Sequence, residues 1–171
     1  MKQKPTFSEK EFSMPAWLYQ MTAGEINGET WYPEDYRKEV WEGEKIPWPV
    51  GEKIYVREQD PMSVGDTIIF FFCKSGDVDP RTGIVDPGIY GWGSITDISY
   101  YTTRTGKEKE DEIEFVVKPP SNFLKDKPLW NDDINQLMNE IRRRQYMGNI
   151  WNIRDGELQR LCKEIKKYTD S

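Results

Sequence analysis

Aromatic side chains are the residues of this sequence whose type and number point most directly to chemistry. The 171 residues include seven tryptophans and nine tyrosines. A flat ring beside a pocket can stack on a planar ligand such as a nucleobase, for roughly 1–3 kcal/mol per base, without needing positive charge. Three or four rings can also enclose a methyl group or a cation. The candidates are Trp17, Tyr19, Trp41, Trp48, Tyr90 and Trp92.

Packing inside the core is the alternative for every one of these rings, because aromatic residues are ordinary core residues. Trp130 and Trp151 lie beside predicted helices, which favours the core for both. The substitution Trp17→Ala separates the two interpretations. A pocket residue loses ligand binding, whereas a core residue costs roughly 3–5 kcal/mol of stability.

The charge balance limits how the protein can hold nucleic acid. A net charge of −6 argues against binding by bulk electrostatics, which needs many Lys and Arg facing phosphates. The C-terminal third is the exception, with 10 basic and 8 acidic side chains between residues 125 and 171. Its strongest basic run is 142–144. Basic residues are favoured at the C-terminal end of a helix, where the helix dipole is negative, and this explains the run. The alternative is a phosphate contact through Arg144 and Arg154.

The sequence contains no histidine, which removes the usual general base and the commonest metal ligand. Carboxylate pairs do occur, as at Asp77 with Asp79 and at Asp132 with Asp133. The first pair lacks the later ligands of a calcium loop, and the second lies in a first helical turn, where acids are favoured. We therefore predict a non-enzymatic protein without a metal or another cofactor.

The elements that must position these residues begin with strands. An unbroken apolar run at 67–73 predicts a buried strand, and 89–98 predicts a second, in which Gly91 and Gly93 flank Trp92 and indicate a bulge or a close approach. Residues 76–88 between them are predicted to be a surface loop. Further strands are expected at 16–21, 53–57, 112–117 and 149–153, and 99–103 is predicted to extend the strand at 89–98. The prolines at 47 and 49 hold Trp48 on an extended piece, while 36–41 fits a turn of helix or a strand.

The last third predicts two helices. Ile134, Leu137, Met138 and Ile141 follow the spacing i, i+3, i+4, i+7 of one helical face, after a cap at Asn131 or Asp132. The second helix repeats that spacing with Leu158, Leu161, Cys162 and Ile165, after a predicted cap at Asp155.

Several of these features, in this order, resemble a known family. The Gly65-Asp66 turn leads into an apolar strand, a loop containing Lys74 and Ser75, and then a strand with the Gly-aromatic-Gly pattern at 91–93. Together with the segments 17–21 and 147–151, this order is similar to that of the EVE domain, a member of the PUA-like group of small β-barrels. The resemblance covers roughly residues 14 to 168.

The resemblance implies an α+β fold, a small PUA-like mixed β-barrel flanked by helices. It also implies a pocket for a base, often a modified one, lined by the first strand, the connection after it and the loop after the Gly-Asp strand. By matching position, the pocket would take Trp17, Gln20, Trp41, Lys74 and Ser75. Gln20 and Ser75 would contact the base edge, while Lys74 and Arg144 would face phosphate.

We therefore expect a single domain at 14–171 after a flexible arm at 1–13, binding DNA or RNA that carries a modified base. Two alternatives stay open, an enzyme acting on nucleic acid or a nucleotide, and a protein-interaction domain that uses exposed aromatics. Cys73 and Cys162 fit buried thiols of a reducing compartment, and no apolar run approaches ~18 residues, so we expect a cytoplasmic protein without membrane contact. The oligomeric state is not predicted.

Overall fold

Strands and three helices make up the part of the chain that the computed structural model describes, which is residues 14–21, 23–26, 28–38, 46–50, 62–74, 76–105, 108–118, 128–143 and 150–169. The strands are β1 (Ala16–Gln20), β2 (Gly24–Ile26), β3 (Glu29–Trp31), β4 (Ile46–Val50), β5 (Thr67–Phe72), β6 (Val78–Asp79), β7 (Gly83–Ile84), β8 (Gly88–Thr105), β9 (Glu108–Lys118) and β10 (Ile150–Ile153). The helices are α1 (Pro33–Tyr36), α2 (Asp132–Arg142) and α3 (Asp155–Thr169).

A six-stranded sheet in the order β10-β1-β5-β8-β9-β4 forms the centre of the protein. Only the β1–β5 pair of this sheet is parallel, and the others are antiparallel. Within the described residues no pairing joins β10 to β4, so the sheet is open and not a closed barrel. Two short hairpins, β2–β3 and β6–β7, stand apart from it. The predicted α+β class with flanking helices is confirmed.

The two faces of the sheet bury two separate cores. Because side chains alternate along a strand, Trp17 and Tyr19 of β1 point to one face and Leu18 points to the other. The first face packs against α1 and the segment around Val85. The second face packs against α2 and α3. Strand β5 is buried along its whole length, which explains why every residue after Thr67 is Ile or Phe.

Helices α2 and α3 bury the apolar faces that the sequence spacing predicts. Ile134, Leu137, Met138 and Ile141 are all buried, and Asn131 caps α2 by accepting a 2.7 Å hydrogen bond from the Ile134 backbone N–H. The predicted cap of α3 was wrong by one position. Asp155 is the first helical residue, and the backbone N–H of Arg154 before it donates to Glu157 at 2.9 Å.

A bulge in β8 lies opposite the junction of Phe70 and Phe71. Phe70 pairs with Gly91 and Phe71 with Ile89, so Tyr90 is the extra residue. The predicted irregularity at the glycines of this strand is therefore confirmed. The strand begins at Gly88, with φ +140°, where the backbone of Leu129 comes so close that a Cβ would lie 2.8 Å from its carbonyl oxygen.

The connection from β5 to β8 corrects one expectation. Residues 76–88 were predicted to be a loop, but they contain the β6–β7 hairpin, in which Val78 pairs with Ile84 and Asp79 with Gly83. The extended piece at 46–49 is confirmed as part of β4. The predicted arm at 1–13 and the predicted strand at 53–57 lie outside the described residues.

Candidate functional site

A cleft of about 280 Å³ opens beside the first face of the sheet. Its walls come from α1, in the connection after β1, and from the β6–β7 hairpin and the segment after it. The lining residues are Pro33, Glu34, Asp79, Arg81, Thr82, Ile84, Val85, Asp86 and Tyr90.

Helix α1 supplies one wall, and its own sequence fixes its start. Pro33 suits the first helical position because its missing N–H would have no partner there. The backbone N–H of Tyr32 donates to the Asp35 carboxylate at 2.9 Å. Tyr36 turns inward and is buried, so the helix is held by its ring against the core.

The β6–β7 hairpin supplies the opposite wall, and Asp79 sets its turn. This carboxylate is only 2% exposed, and it accepts a 2.9 Å hydrogen bond from the backbone N–H of Arg81. Gly83 follows at φ +99°, a conformation that side chains rarely adopt. Burial on its own would raise the pKa of Asp79. The hydrogen bonds and charge of Arg81, with a hydrogen bond from Thr82, outweigh burial and lower the pKa below its usual value.

Arg81 joins the two walls of the cleft. Its guanidinium lies 2.8 Å from the Asp35 carboxylate on the α1 side and 3.2 Å from Asp79 on the hairpin side. The same group stands 5.9 Å from the centre of the Tyr32 ring. Hydrogen bonds to Asp35 and then Asp79 raise the pKa of Arg81, so it stays charged. A two-sided ion pair therefore links the two walls.

A row of rings runs from the cleft into the core. Trp31 and Tyr36 have centroids 5.3 Å apart, Tyr36 and Phe72 5.5 Å, and Phe72 and Tyr90 5.0 Å. Tyr90 lies at the inner end of the cleft and donates its hydroxyl to the Asp86 backbone carbonyl at 2.7 Å. Burial, with the nearby charge of Asp86, raises the pKa of Tyr90, so the hydroxyl remains a donor.

Three of the predicted pocket aromatics pack in the core. Trp17 is 2% exposed and donates its indole N–H to the buried Asp66 carboxylate at 2.9 Å. Tyr19 packs edge-on against Phe70 in the same cluster, and burial raises its pKa. Trp92 lies on the other face of the sheet, against the helices. None of the three has a face open to solvent. Tyr90 is 1% exposed and belongs to the first core cluster, and among the predicted rings whose side chains the structure describes it is the one that also lines the cleft.

Gln20 lies on the opposite side of the sheet from Trp17. The two are three residues apart on one strand, so their side chains point to opposite faces. Gln20 accepts a 3.2 Å hydrogen bond from Arg142 and donates to the Cys73 sulfur at 3.5 Å. Arg142 also stands 5.5 Å from the centre of the Phe71 ring. The structure therefore does not bring Trp17 and Gln20 into one pocket.

The remaining predicted residues divide into two groups. Lys74 is exposed just after β5, and Trp48 belongs to β4, where it pairs with Ile113. Trp41, Ser75 and Arg144 lie outside the described residues. The sequence analysis missed Glu34, Arg81 and Asp86. The sequence between Asp79 and Gly83, with its Asp, Pro and Gly, was a turn signal that would have indicated the hairpin.

A second hollow, between α2 and α3, is lined by paired charges. Arg160 bonds Glu140 at 2.5 Å and Lys167 bonds Glu164 at 2.9 Å. Ion pairs of this kind are usual on the solvent-exposed surfaces of helices and do not indicate a binding site. In the described ranges, no three His, Cys, Asp or Glu side chains form a metal site. No helix among the described residues is long and apolar enough to cross a membrane.

Comparison with known proteins finds similarity among solved structures. No family model matches the sequence, and no curated protein matches it. Among solved structures, the N-terminal domain of Thermococcus gammatolerans McrB bound to m5C DNA aligns over 90% of this chain and 98% of its own. The TM-score is 0.43 and the sequence identity is 12%.

Proposed function

We propose that the protein is a non-enzymatic nucleic-acid-binding module whose cleft receives a single nucleobase, in particular a modified one. The observation that carries this proposal is the position of the cleft. It lies between the connection after β1 and the connection after β5, the two connections that the EVE resemblance implies for a base pocket. The first strand, the third predicted wall, contributes to the core instead.

The size of the cleft suits a small planar ligand. Its volume of about 280 Å³ is at the lower end of small-molecule sites, which span roughly 300–1,000 Å³. A base can enter it only after leaving its stack, which costs a few kcal/mol. The ion pairs of Arg81 link the two walls of the cleft across its opening.

The charges of the cleft fit the edge of a base better than a phosphate. Glu34, which is paired with Arg37, and Asp86 bring carboxylates to the lining. Arg81, the one cation of the lining among the described residues, is engaged by Asp35 and Asp79. Carboxylates accept hydrogen bonds from amino groups on base edges, such as N4 of cytosine. The phosphates would remain outside, where Lys38 after α1 and Lys74 after β5 are exposed. We infer a preference for bases that carry an amino group.

The test is to fill the cleft with Asp86→Trp and to measure binding by fluorescence anisotropy. The probes are short single-stranded oligonucleotides with one 5-methylcytosine, cytosine or thymine. Asp86 is exposed and its backbone carbonyl holds Tyr90, so the change keeps that hydrogen bond. Losing one seated base removes roughly 1–3 kcal/mol, and we expect affinity for the amino-bearing bases to fall about 5- to 150-fold.

The control is Asp132→Trp on the exposed start of α2, which removes the same charge far from the cleft. Removing a negative charge strengthens non-specific binding to phosphates, so the charge change cannot explain a loss of affinity in Asp86→Trp, and circular dichroism checks that both variants are folded. Equal affinities for the two variants would refute the assignment of the base to this cleft. Absence of binding by the unmodified protein to every probe would refute nucleic-acid binding itself.

A further inference from the structure

Two apolar side chains stand exposed, side by side, on the β6–β7 hairpin. Val78 is 55% exposed and Ile84 is 70% exposed. They are directly paired across the hairpin, so both side chains project from the same face. The next pair, Asp79 with Gly83, faces the other way, and the Asp79 carboxylate is buried. Because this pair is exposed on the outer face of the hairpin, it does not contribute to the hydrophobic core.

The β6–β7 hairpin is short, but several contacts connect it to α1 and to the core. Asp79 and Arg81 tie its turn to α1, and the backbone N–H of Val85 donates to the Asp77 carbonyl at 2.9 Å across its base. Val85 itself is buried in the first core cluster. The exposed pair is thus carried on a hairpin that is tied to α1 and to the core.

The same hairpin forms a wall of the cleft, and Ile84 is one of the lining residues. The exposed pair therefore stands at the edge of the cavity, with Ile84 as its lining member. When a base leaves a duplex it leaves a gap in the stack, and proteins that bend or open DNA commonly insert apolar side chains between base steps. Valine and isoleucine are stiff at χ1, which suits them to such insertion.

We propose that Val78 and Ile84 form a wedge that enters the base stack of a duplex while the target base occupies the cleft. This inference rests on the proposed function and adds a step to it. The cleft holds the base, and the wedge fills the gap from which the base came. The wedge acts only when there is a stack to open, so it serves binding to double-stranded and not to single-stranded nucleic acid.

The test is the double substitution Val78→Thr and Ile84→Thr, which keeps β-branched side chains on exposed strand positions. Val64→Thr is the matched control, since Val64 is 60% exposed in the turn before β5 and outside the cleft lining. The probes are a short duplex with one 5-methylcytosine beside a 2-aminopurine, and the same strand alone. Anisotropy reports affinity, and 2-aminopurine fluorescence reports unstacking.

We expect the double variant to bind the duplex about tenfold more weakly or worse, because unstacking a step without a wedge is costly. Its affinity for the duplex should fall at least about fivefold more than its affinity for the single strand, and the duplex-induced rise in 2-aminopurine fluorescence should be lost. Val78→Thr alone, which lies outside the cleft lining, should leave the affinity for the single strand within about twofold of the unmodified protein. The Val64→Thr control should match the unmodified protein in all three measurements.

Other results would overturn the wedge in distinguishable ways. Unchanged affinity for both probes would leave the base pocket standing without a wedge, and equal losses for both probes would make the pair a general strand contact. A change from dimer to monomer with unchanged duplex affinity would assign the pair to a protein interface. Failure of the unmodified protein to bind either probe would refute the proposed function with this base.

Discussion

The hydrogen bond between Trp17 and Asp66 gives the sharpest test of whether the aromatic surplus serves the core. The indole N–H of Trp17 and the backbone N–H of Ser63 both donate to the same carboxylate oxygen of Asp66, each at 2.9 Å. Asp66 is buried and belongs to the Gly-Asp turn before β5. The side chain of β1 is thereby tied to the turn that starts its neighbouring strand.

The substitution Trp17→Phe keeps a ring in the core and removes this donor. A hydrogen bond to a charged group contributes about 1.5–3 kcal/mol, and the smaller ring leaves unfilled space. We expect the free energy of unfolding to fall by about 2–4 kcal/mol, measured by urea denaturation. Binding of oligonucleotides should stay within about twofold under conditions where the variant is folded, because Trp17 does not line the cleft.

A double-mutant cycle with Asp66→Ala isolates the contact. The coupling energy between Trp17→Phe and Asp66→Ala should be about 1–3 kcal/mol, since each change alone breaks the same hydrogen bond. The matched control pairs Asp66→Ala with Trp92→Phe, on the opposite face of the sheet, and should be additive within about 0.5 kcal/mol. A stable Trp17→Phe protein that no longer binds oligonucleotides would refute the core assignment.

Two further predictions concern the backbone at β8 and the turn of the hairpin. Gly88→Ala should lower the free energy of unfolding by about 1–3 kcal/mol, and with it the urea midpoint, because φ is +140° and a Cβ would meet the Leu129 carbonyl. Gly156→Ala is the control, since nothing lies within 4 Å of the added Cβ, and it should leave the protein as stable or slightly more stable. The pKa of Asp79 is lower in the folded protein, so its contribution to stability is complete above the unfolded pKa of about 3.9 and is lost as pH falls through the folded value. The difference in Tm between the unmodified protein and Asp79→Asn should therefore shrink on acidification below about pH 4, and a constant difference would contradict it.

The elements with strong periodic signals were predictable, and the short ones were not. β5 follows from its unbroken apolar run, and α2 and α3 follow from stripes that are long enough to specify one face. Helix α1 has four residues and the β6–β7 strands have two each, so their form depends on distant partners more than on local pattern. Arg81 and Asp35, which hold them together, are 46 residues apart in the sequence.

The candidate site was predictable by its connections but not by its side chains. The resemblance implied the connections after β1 and after β5, and both do line the cleft. Glu34 and Asp86 line the cleft, but in the sequence they look like ordinary surface acids. Nothing in the local pattern shows that their two segments meet in the fold. Trp17 and Tyr19 read equally well as pocket or core, and only the burial of both faces of the sheet decides between them.

Side chains alternate between the two faces of a strand, and this alternation explains both the separation of Gln20 from Trp17 and the effect of the bulge beside the glycines of β8. Trp17 and Gln20 are three residues apart on a regular strand, and they point to opposite faces. Ile89 and Trp92 are also three apart, yet both pack against the helices, because the bulge adds Tyr90 between them. The added residue points to the other face, where its ring meets Phe72 and its hydroxyl holds Asp86 at the wall of the cleft. One extra residue thus completes the helix-side core and fixes the inner end of the cleft, so deleting Tyr90 would disturb both faces, whereas Tyr90→Phe would remove only the hydrogen bond to Asp86.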